Sequence, residues 1–279
     1  MRQAEAVRTV AVMTHGHPEA LGEALARLEE VTRKAGVELL FSEEEAAKHG
    51  RDADPDDFEK ADLAVVLGGD GTMLRALQRS LGKGTPVVGV NFGAVGFLTS
   101  IKEDGLEEGL TRVFAGEYAL AELPTLDAEL GGERHVAVND VVVASSIIGR
   151  MIDLSWAIGG EDLGQLPCDG VLCCTPSGST GYNLSNGGPV LVWGLDALAV
   201  TFIAAHSLHA RPLVVPRGRD VEIENRTTDV PAAVLVDGRP AGELGAGEHV
   251  HVRLGEQRSF LAHLPEATFF RRYRETFDS

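Results

Sequence analysis

At 279 residues, 44% hydrophobic and 24% charged, the chain has the make-up of a soluble globular protein with room for one large domain or two ordinary ones. Its formal net charge of −17 argues against nucleic acid or an anionic membrane surface as the main partner. Three cysteines, Cys168, Cys173 and Cys174, make an odd count with two adjacent members, a pattern that fits a reducing compartment rather than a disulfide framework.

Residues 1–10 carry no apolar signal core and no small-residue cleavage site, so the expectation is a cytoplasmic protein. From there the first third alternates. Residues 7–13 read as an apolar strand and residues 18–35 as a helix, with Leu21, Leu25 and Leu28 at helical spacing. A second strand at 37–41 precedes an acidic stretch, 42–60, of short helix and loop. A third strand, 63–67, leads into Gly68-Gly69-Asp70-Gly71-Thr72 and a helix over 72–81, and a fourth strand covers 86–90. Fully apolar strands alternating with helices predict a parallel sheet covered on both faces. Ligands bind beyond the carboxyl ends of such strands, where Asp70 and Asn91 fall.

Beyond about residue 124 the texture changes to short β-branched runs separated by turn residues. Strands are predicted at 126–130, 136–144, 152–158, 171–174, 197–204, 221–224, 233–236, 249–254 and 259–263, with a helix only at 177–184. This spacing predicts a β-sandwich-like second domain. The longest apolar stretch, 190–205, is interrupted by Gly194 and Asp196 and falls short of the ~20 residues that a membrane span needs. The tail, 269–277, reads as an amphipathic helix packing back on the first domain. The expected domains are therefore 1–124, 125–265 and a C-terminal helix in 266–279.

Two glycine-rich loops stand out: the one around Asp70, and Asp169-Gly170 followed by Thr175-Pro176-Ser177-Gly178-Ser179-Thr180-Gly181-Tyr182. Each follows an apolar run and precedes a helix-like segment, so each offers backbone N–H groups to an anionic oxygen. No Gly-Lys-Ser/Thr follows the first, which excludes a P-loop. In so acidic a protein, phosphate must be held by backbone dipoles, a few arginines and a divalent cation rather than by the overall field. Asp70 amid glycines is equally an exposed turn aspartate. Asn139-Asp140 interrupts a Val/Ala strand as a bulge or as a ribose-binding pair. Asp237-Gly238 ends a strand as a favoured hairpin turn, and the hydroxyls of 177–180 match an ordinary helix cap. His206 and His209 form an H-x-x-H that nothing nearby completes as a zinc site, so packed core or interface histidines are expected.

Taken together these segments resemble the NAD kinases. The resemblance runs in order through Gly68-Gly69-Asp70-Gly71-Thr72, Gly89-Val90-Asn91, Gly96-Phe97-Leu98, Asn139-Asp140, Asp169-Gly170, the 175–182 loop, Gly187-Gly188-Pro189, His206-Ser207-Leu208, Arg211-Pro212 and Asp237-Gly238. It implies an N-terminal Rossmann-like domain, a C-terminal β-sandwich-like domain and a site in the cleft between them. It also implies transfer of the γ-phosphoryl of ATP, or of polyphosphate in some members, to the 2′-hydroxyl of the adenosine ribose of NAD, giving NADP. Mg²⁺ or another divalent cation and a homodimer or homotetramer come with it. By the same resemblance Asp70 orients or deprotonates the hydroxyl, and Asp237 is a second catalytic carboxylate. Asp70, Gly71, Asn139, Asp140, Asp169, Ser177, Thr180, Gly181, Tyr182 and Ser185 bind NAD, while Gly68, Gly69, Gly71, Thr72 and Asn91 hold the phosphates of ATP. No residue is assigned as a metal ligand.

This chain departs from the family pattern in places. Asp140 stands where the family commonly has glutamate, which shortens the reach by ~1.5 Å and requires contact through water or a shifted backbone. Gly181 replaces a usual alanine, Phe92 is larger than expected, and Pro167-Cys168 stands where relatives carry Arg-Ser or Gly-Cys. Donor, and NAD against NADH, stay open. A lipid kinase of the same superfamily predicts a basic or amphipathic membrane-facing surface, against the net charge. A module that binds NAD without turnover would not need both Asp70 and Asp237.

Overall fold

The computed structural model describes residues 6–16, 18–55, 57–93 and 96–277. Residues 1–5 of the N-terminal segment read above, and 278–279 of the expected C-terminal segment, lie outside the described residues. Two compact units divide the chain, one formed by residues 1–122 with 259–279 and the other by residues 123–258.

In the first unit the elements are β1 (Thr9–Thr14), α1 (Pro18–Ala35), β2 (Glu38–Phe41), α2 (Glu43–His49), α3 (Asp57–Lys60), β3 (Leu63–Leu67), α4 (Asp70–Arg79), β4 (Val87–Asn91), β5 (Ile101–Lys102) and α5 (Leu106–Phe114). The sheet is parallel throughout, in the order β4-β3-β1-β2, with Val10 opposite Leu63 and Thr9 opposite Glu38. Every residue of β3 is fully buried, as a strand covered on both faces must be. One face packs Val10, Val12, Val65 and Val88 with Leu25 and Leu28 of α1 and with Leu106, Leu110 and Val113 of α5. Helix α2 is capped at both ends: the Ser42 hydroxyl accepts the Glu45 N–H at 3.2 Å, and Gly50 ends the helix in the left-handed region.

The second unit begins within β6 (Ala119–Leu130) and contains β7 (Glu133–Ala137), β8 (Asp140–Ser145), β9 (Ile152–Ile158), β10 (Glu161–Cys168), β11 (Gly170–Cys174), the single-turn α6 (Tyr182–Ser185), β12 (Ala197–Ile203), β13 (Leu213–Pro216), β14 (Val221–Asn225), β15 (Ala232–Val236), β16 (Arg239–Leu244) and most of β17 (His249–His263). Six strands pair antiparallel in the order β13-β12-β11-β8-β15-β16. A second antiparallel set runs β10-β9-β14-β17. Alternate residues of both sets, Val141, Val143, Val171 and Cys173 from one and Leu154, Ile223, Val250 and Val252 from the other, form one buried core. The fold class is thus an N-terminal parallel-sheet unit and a C-terminal antiparallel β unit.

Several elements differ from the sequence expectation. The single strand expected at 136–144 is two, β7 and β8, broken at Val138-Asn139. The two strands expected at 249–254 and 259–263 are the continuous β17, whose end pairs with β4 at Leu261 and Val87 and carries the last residues into the first unit. Gly255 looks like a break in sequence. In the fold it stays within the strand, because a Cβ there would come 2.6 Å from Thr125 Oγ1 and 2.7 Å from Asp127 Oδ1. Helix α5 and strands β10, β13 and β16 have no counterpart among the expected elements. The last helix, α7 (Phe269–Phe277), packs its Phe269 and Phe277 rings 6.0 and 5.7 Å from Phe97. Among the described residues no helix is long and apolar enough to cross a membrane.

Leu28 is fully buried between α1 and the sheet. Replacing it with Ala is expected to cost about 2–5 kcal/mol of unfolding free energy, read as a lower urea midpoint with an unchanged slope. A loss under about 1 kcal/mol would mean that this face repacks.

Candidate functional site

The apolar β3 ends at Leu67, and the next four residues turn the chain into α4. Gly69 caps that helix in an extended conformation, and its carbonyl accepts the Thr72 and Met73 N–H groups at 3.0 Å. The helix therefore starts at Asp70, two residues earlier than its apolar pattern indicates. The first-turn amides of a ten-residue helix carry the positive end of its dipole. They open on a cavity of about 690 Å³ lined by Gly68, Gly69, Gly71, Thr72, His15 and Arg75. Gly68 is required by close approach, since a Cβ there would lie 2.7 Å from Thr72 Oγ1. Asn91, at the carboxyl end of β4, accepts the Gly93 N–H through its Oδ1 at 3.0 Å and lines a neighbouring cavity of about 850 Å³ with Thr99, Lys102 and Arg271.

Asp70 is half-buried, and its carboxylate is held from one side by the chain that follows β4. Phe97 N–H donates to Oδ2 at 2.7 Å and Leu98 N–H to Oδ1 at 3.0 Å. The backbone comes so close that any side chain at Gly96 would overlap the Asp70 carboxyl group. Each carboxylate oxygen keeps lone-pair capacity beyond its one amide bond, so the group remains able to accept a hydroxyl proton donor.

A parallel arrangement exists in the second unit. Asp237, with φ of 48°, and Gly238, with φ of 75°, form the two-residue hairpin between β15 and β16. The Asp237 carboxylate accepts the N–H groups of Val138 at 2.8 Å, Asn139 at 2.7 Å and Asp140 at 3.1 Å. Both oxygens of this expected catalytic carboxylate thus brace the break between β7 and β8. Beside it Asp140 is nearly buried, and that burial, with the adjacent Asp237 charge, pushes its pKa up to about 6. Asn139 Oδ1 is buried with no hydrogen-bond partner.

The 175–188 loop is tied to the same break. Thr175 Oγ1 and Ser177 Oγ donate to the Val138 carbonyl at 2.6 and 3.0 Å. Gly178 lies where a Cβ would overlap the Asn139 carbonyl. Asn183, fully buried, donates to the Ser179 and Pro189 carbonyls at 3.0 and 2.9 Å and accepts the Thr201 hydroxyl at 2.7 Å. The Ser177 hydroxyl, expected to face a ligand, is therefore committed to the protein's own backbone. Thr180 is half-buried, while Gly181, Tyr182, Ser185 and Asp169 are exposed. His206 and His209 are exposed too, which removes the expectation that they are core histidines.

The fold thus gathers Gly68, Gly69, Asp70, Gly71 and Thr72 in one unit, and Asn139, Asp140, Ser177 and Asp237 in the other. Sequence reasoning assigned no task to the Phe97 and Leu98 amides, Thr175, Asn183 or Arg272. The Gly96-Phe97-Leu98 run carried a signal in its glycine. A backbone N–H is otherwise invisible in a residue string.

Comparison with known proteins sets these features in a family. Residues 11–118 match the model of the ATP-NAD kinase N-terminal domain, and residues 138–264 that of the ATP-NAD kinase C-terminal domain. A protein described as NAD kinase from Heliobacterium modesticaldum is 41% identical over 225 residues, covering 79% of this chain and 80% of the relative. Another, from Thermobifida fusca, is 36% identical over 286 residues, covering 95% and 87%. The crystal structure of an NAD kinase from Archaeoglobus fulgidus in complex with ATP superimposes with a TM-score of 0.75 at 26% identity, covering 96% of this chain and 98% of that one. The yeast NADH kinase structure complexed with NADH shares the fold, with a TM-score of 0.85 at 22% identity over 98% and 88% of the two chains.

The raised pKa of Asp140 has a defined consequence for stability. The folded state holds a proton that the unfolded chain releases near 3.8, so stability falls as pH rises from about 4 to about 6 and the cost is complete above that. Asp140→Asn is expected to remove this slope, so that the variant gains on the wild type across that window and holds its gain at neutral pH. Urea midpoints measured from pH 4 to 8 test this, and parallel curves for the two proteins would refute it. Asp237→Ala is expected to lower the midpoint by removing the acceptor of three N–H groups, at about 1–3 kcal/mol.

Proposed function

The chain belongs to the NAD kinase family, and from that premise we propose that it transfers the γ-phosphoryl group of ATP, or of polyphosphate, to the 2′-hydroxyl of the adenosine ribose of NAD. The observation that carries this reading is the Asp70 carboxylate, held by two backbone amides at the start of α4 beside a glycine-lined cavity.

In this reading Asp70 accepts a hydrogen bond from the ribose hydroxyl and aims its oxygen at the γ-phosphorus. The new P–O bond forms as the bond to the leaving phosphate oxygen breaks, and the hydroxyl proton passes late to the Asp70 carboxylate. The amides of Gly69 and Gly71 and the Thr72 hydroxyl hold phosphate oxygens, with Asn91 nearby; the Gly68 and Thr72 N–H groups donate to the Val90 and Gly69 carbonyls and shape the loop. ATP as donor is supported by the ATP bound to the Archaeoglobus fulgidus protein. Among the described residues no three acidic, histidine or cysteine side chains converge on a metal position. The divalent cation implied by the family resemblance, Mg²⁺ or another, would enter with the phosphate donor and would neutralise charge on its oxygens.

Asn139, Asp140, Asp169, Thr180, Gly181, Tyr182 and Ser185 are proposed to take the dinucleotide. The partnerless Asn139 Oδ1 supports this, since a buried acceptor left unpaired is costly unless a ligand donor meets it. For Ser177 and Asp237 the observed bonds support an indirect part, holding Val138, Asn139 and Asp140 in place. A cytoplasmic homodimer or homotetramer rests on the family resemblance and the cysteine usage.

A coupled assay for NADP formation, with NAD, Mg²⁺ and either ATP or polyphosphate, tests the reaction and identifies the donor. Asp70→Asn is expected to lower kcat by about 10²–10⁴-fold while NAD still binds. An unchanged rate would remove Asp70 from the chemistry. No NADP from either donor, with NAD bound, would favour a non-catalytic dinucleotide module.

A further inference from the structure

Arg272 lies on α7, is 4% exposed, and belongs to the first unit together with the segment it touches. Its Nη1 donates to the carbonyls of Phe97 and Thr99, and its Nε donates to the Ala267 carbonyl at 3.3 Å. Phe97 C=O and Leu98 N–H belong to a single peptide group. That group is therefore gripped on opposite edges, with Arg272 on its oxygen and the Asp70 carboxylate on its hydrogen.

A cation on the carbonyl polarises the peptide and makes its N–H a better donor. Its second bond, to Thr99, fixes the next turn of backbone. Phe269 and Phe277, from the same helix, pack on the Phe97 ring and hold the segment from its apolar side.

We propose that Arg272 is a positioning residue for phosphoryl transfer, clamping the Phe97–Thr99 backbone so that the Phe97 and Leu98 amides keep Asp70 aimed at the acceptor hydroxyl. Burying a guanidinium is costly, and burial pushes its pKa down to about 10. An apolar side chain of similar volume would fill the space without that cost. It would leave the two carbonyls without this charged donor and the amides less firmly held. The proposal rests on the reading that Asp70 serves the reaction, and its test separates the two.

Arg272→Met, Arg272→Lys, Asp70→Asn and a control, Arg274→Gln, are compared in the intact chain. Arg274 is an exposed neighbour on the same helix and lines neither cavity of the candidate site. Two readouts are taken: kcat and KM for NADP formation, and amide hydrogen exchange at Phe97 and Leu98 against Val65 and Val66 of β3.

Arg272→Met is expected to lower kcat by about a hundred-fold with KM for NAD nearly unchanged. Its Phe97 and Leu98 amides are expected to exchange at least about tenfold faster while β3 is unaffected. Arg272→Lys is expected to recover part of both effects, and Arg274→Gln to match the wild type. Should Arg272→Met fail to fold, Arg272→Lys decides: a loss confined to kcat, with faster exchange at the two amides, supports the clamp. Wild-type kcat in whichever variant folds overturns it, as does a loss of kcat with unchanged exchange at Phe97 and Leu98. An active Asp70→Asn would instead refute the role given to Asp70, and the exchange data would still report on the clamp itself.

Discussion

Two backbone amides, those of Phe97 and Leu98, hold the carboxylate of Asp70 at the mouth of a helix, and the surrounding first unit serves that contact. Strand β3 delivers Asp70 to its position, and the segment after β4 brings the amides. Gly96 permits the approach, because no side chain fits between the two. Buried apolar packing of β1, β3 and β4 makes the strand ends rigid enough for the geometry to persist. The two amide dipoles fix the direction of the carboxylate, and the nearby Arg272 guanidinium adds an attractive charge.

The same solution recurs in the second unit, with a different result. Asp237 accepts three amides across the break between β7 and β8, and its charge is consumed in shaping the backbone. Asp140, placed beside it and nearly buried, bears the cost as a raised pKa. Thr175 and Ser177 anchor the following loop to the same Val138 carbonyl, and Asn183 ties that loop down to β12 through Thr201. Polar side chains in this unit mostly hold chain segments still, and the exposed face of the loop is left to Tyr182 and Ser185.

Much of this was legible in the residue string. Fully apolar runs such as 63–67 announced buried parallel strands, and the alternating short runs after residue 124 announced an antiparallel unit, because burial on two faces or one writes a different period. Glycines between a strand and a helix marked the Asp70 loop, since only they admit so close a backbone. Helix α5 was not foreseen, although Leu106, Leu110 and Val113 have helical spacing, because acidic residues and glycines dilute the pattern. Strand β10 was missed because its side chains are mostly exposed and carry no apolar alternation. The strands expected at 249–254 and 259–263 are one, because Gly255 answers to the neighbouring strand and not to its own turn propensity.

The sequence by itself determined the two-part architecture, the family and the positions where carboxylates, hydroxyls and glycines cluster, for these follow from local periodicity and short motifs. Tertiary structure alone decided what those groups do. Asp70 and Asp237 look alike as Asp-Gly pairs, yet one is held with lone pairs to spare and the other is spent on three amides. Arg272 reads as one of several arginines on an amphipathic tail, yet it is buried against the backbone that carries the Asp70 amides. The reason is physical: a backbone N–H or C=O is the same in every residue, so which of them converge on a side chain is set only when distant segments pack together.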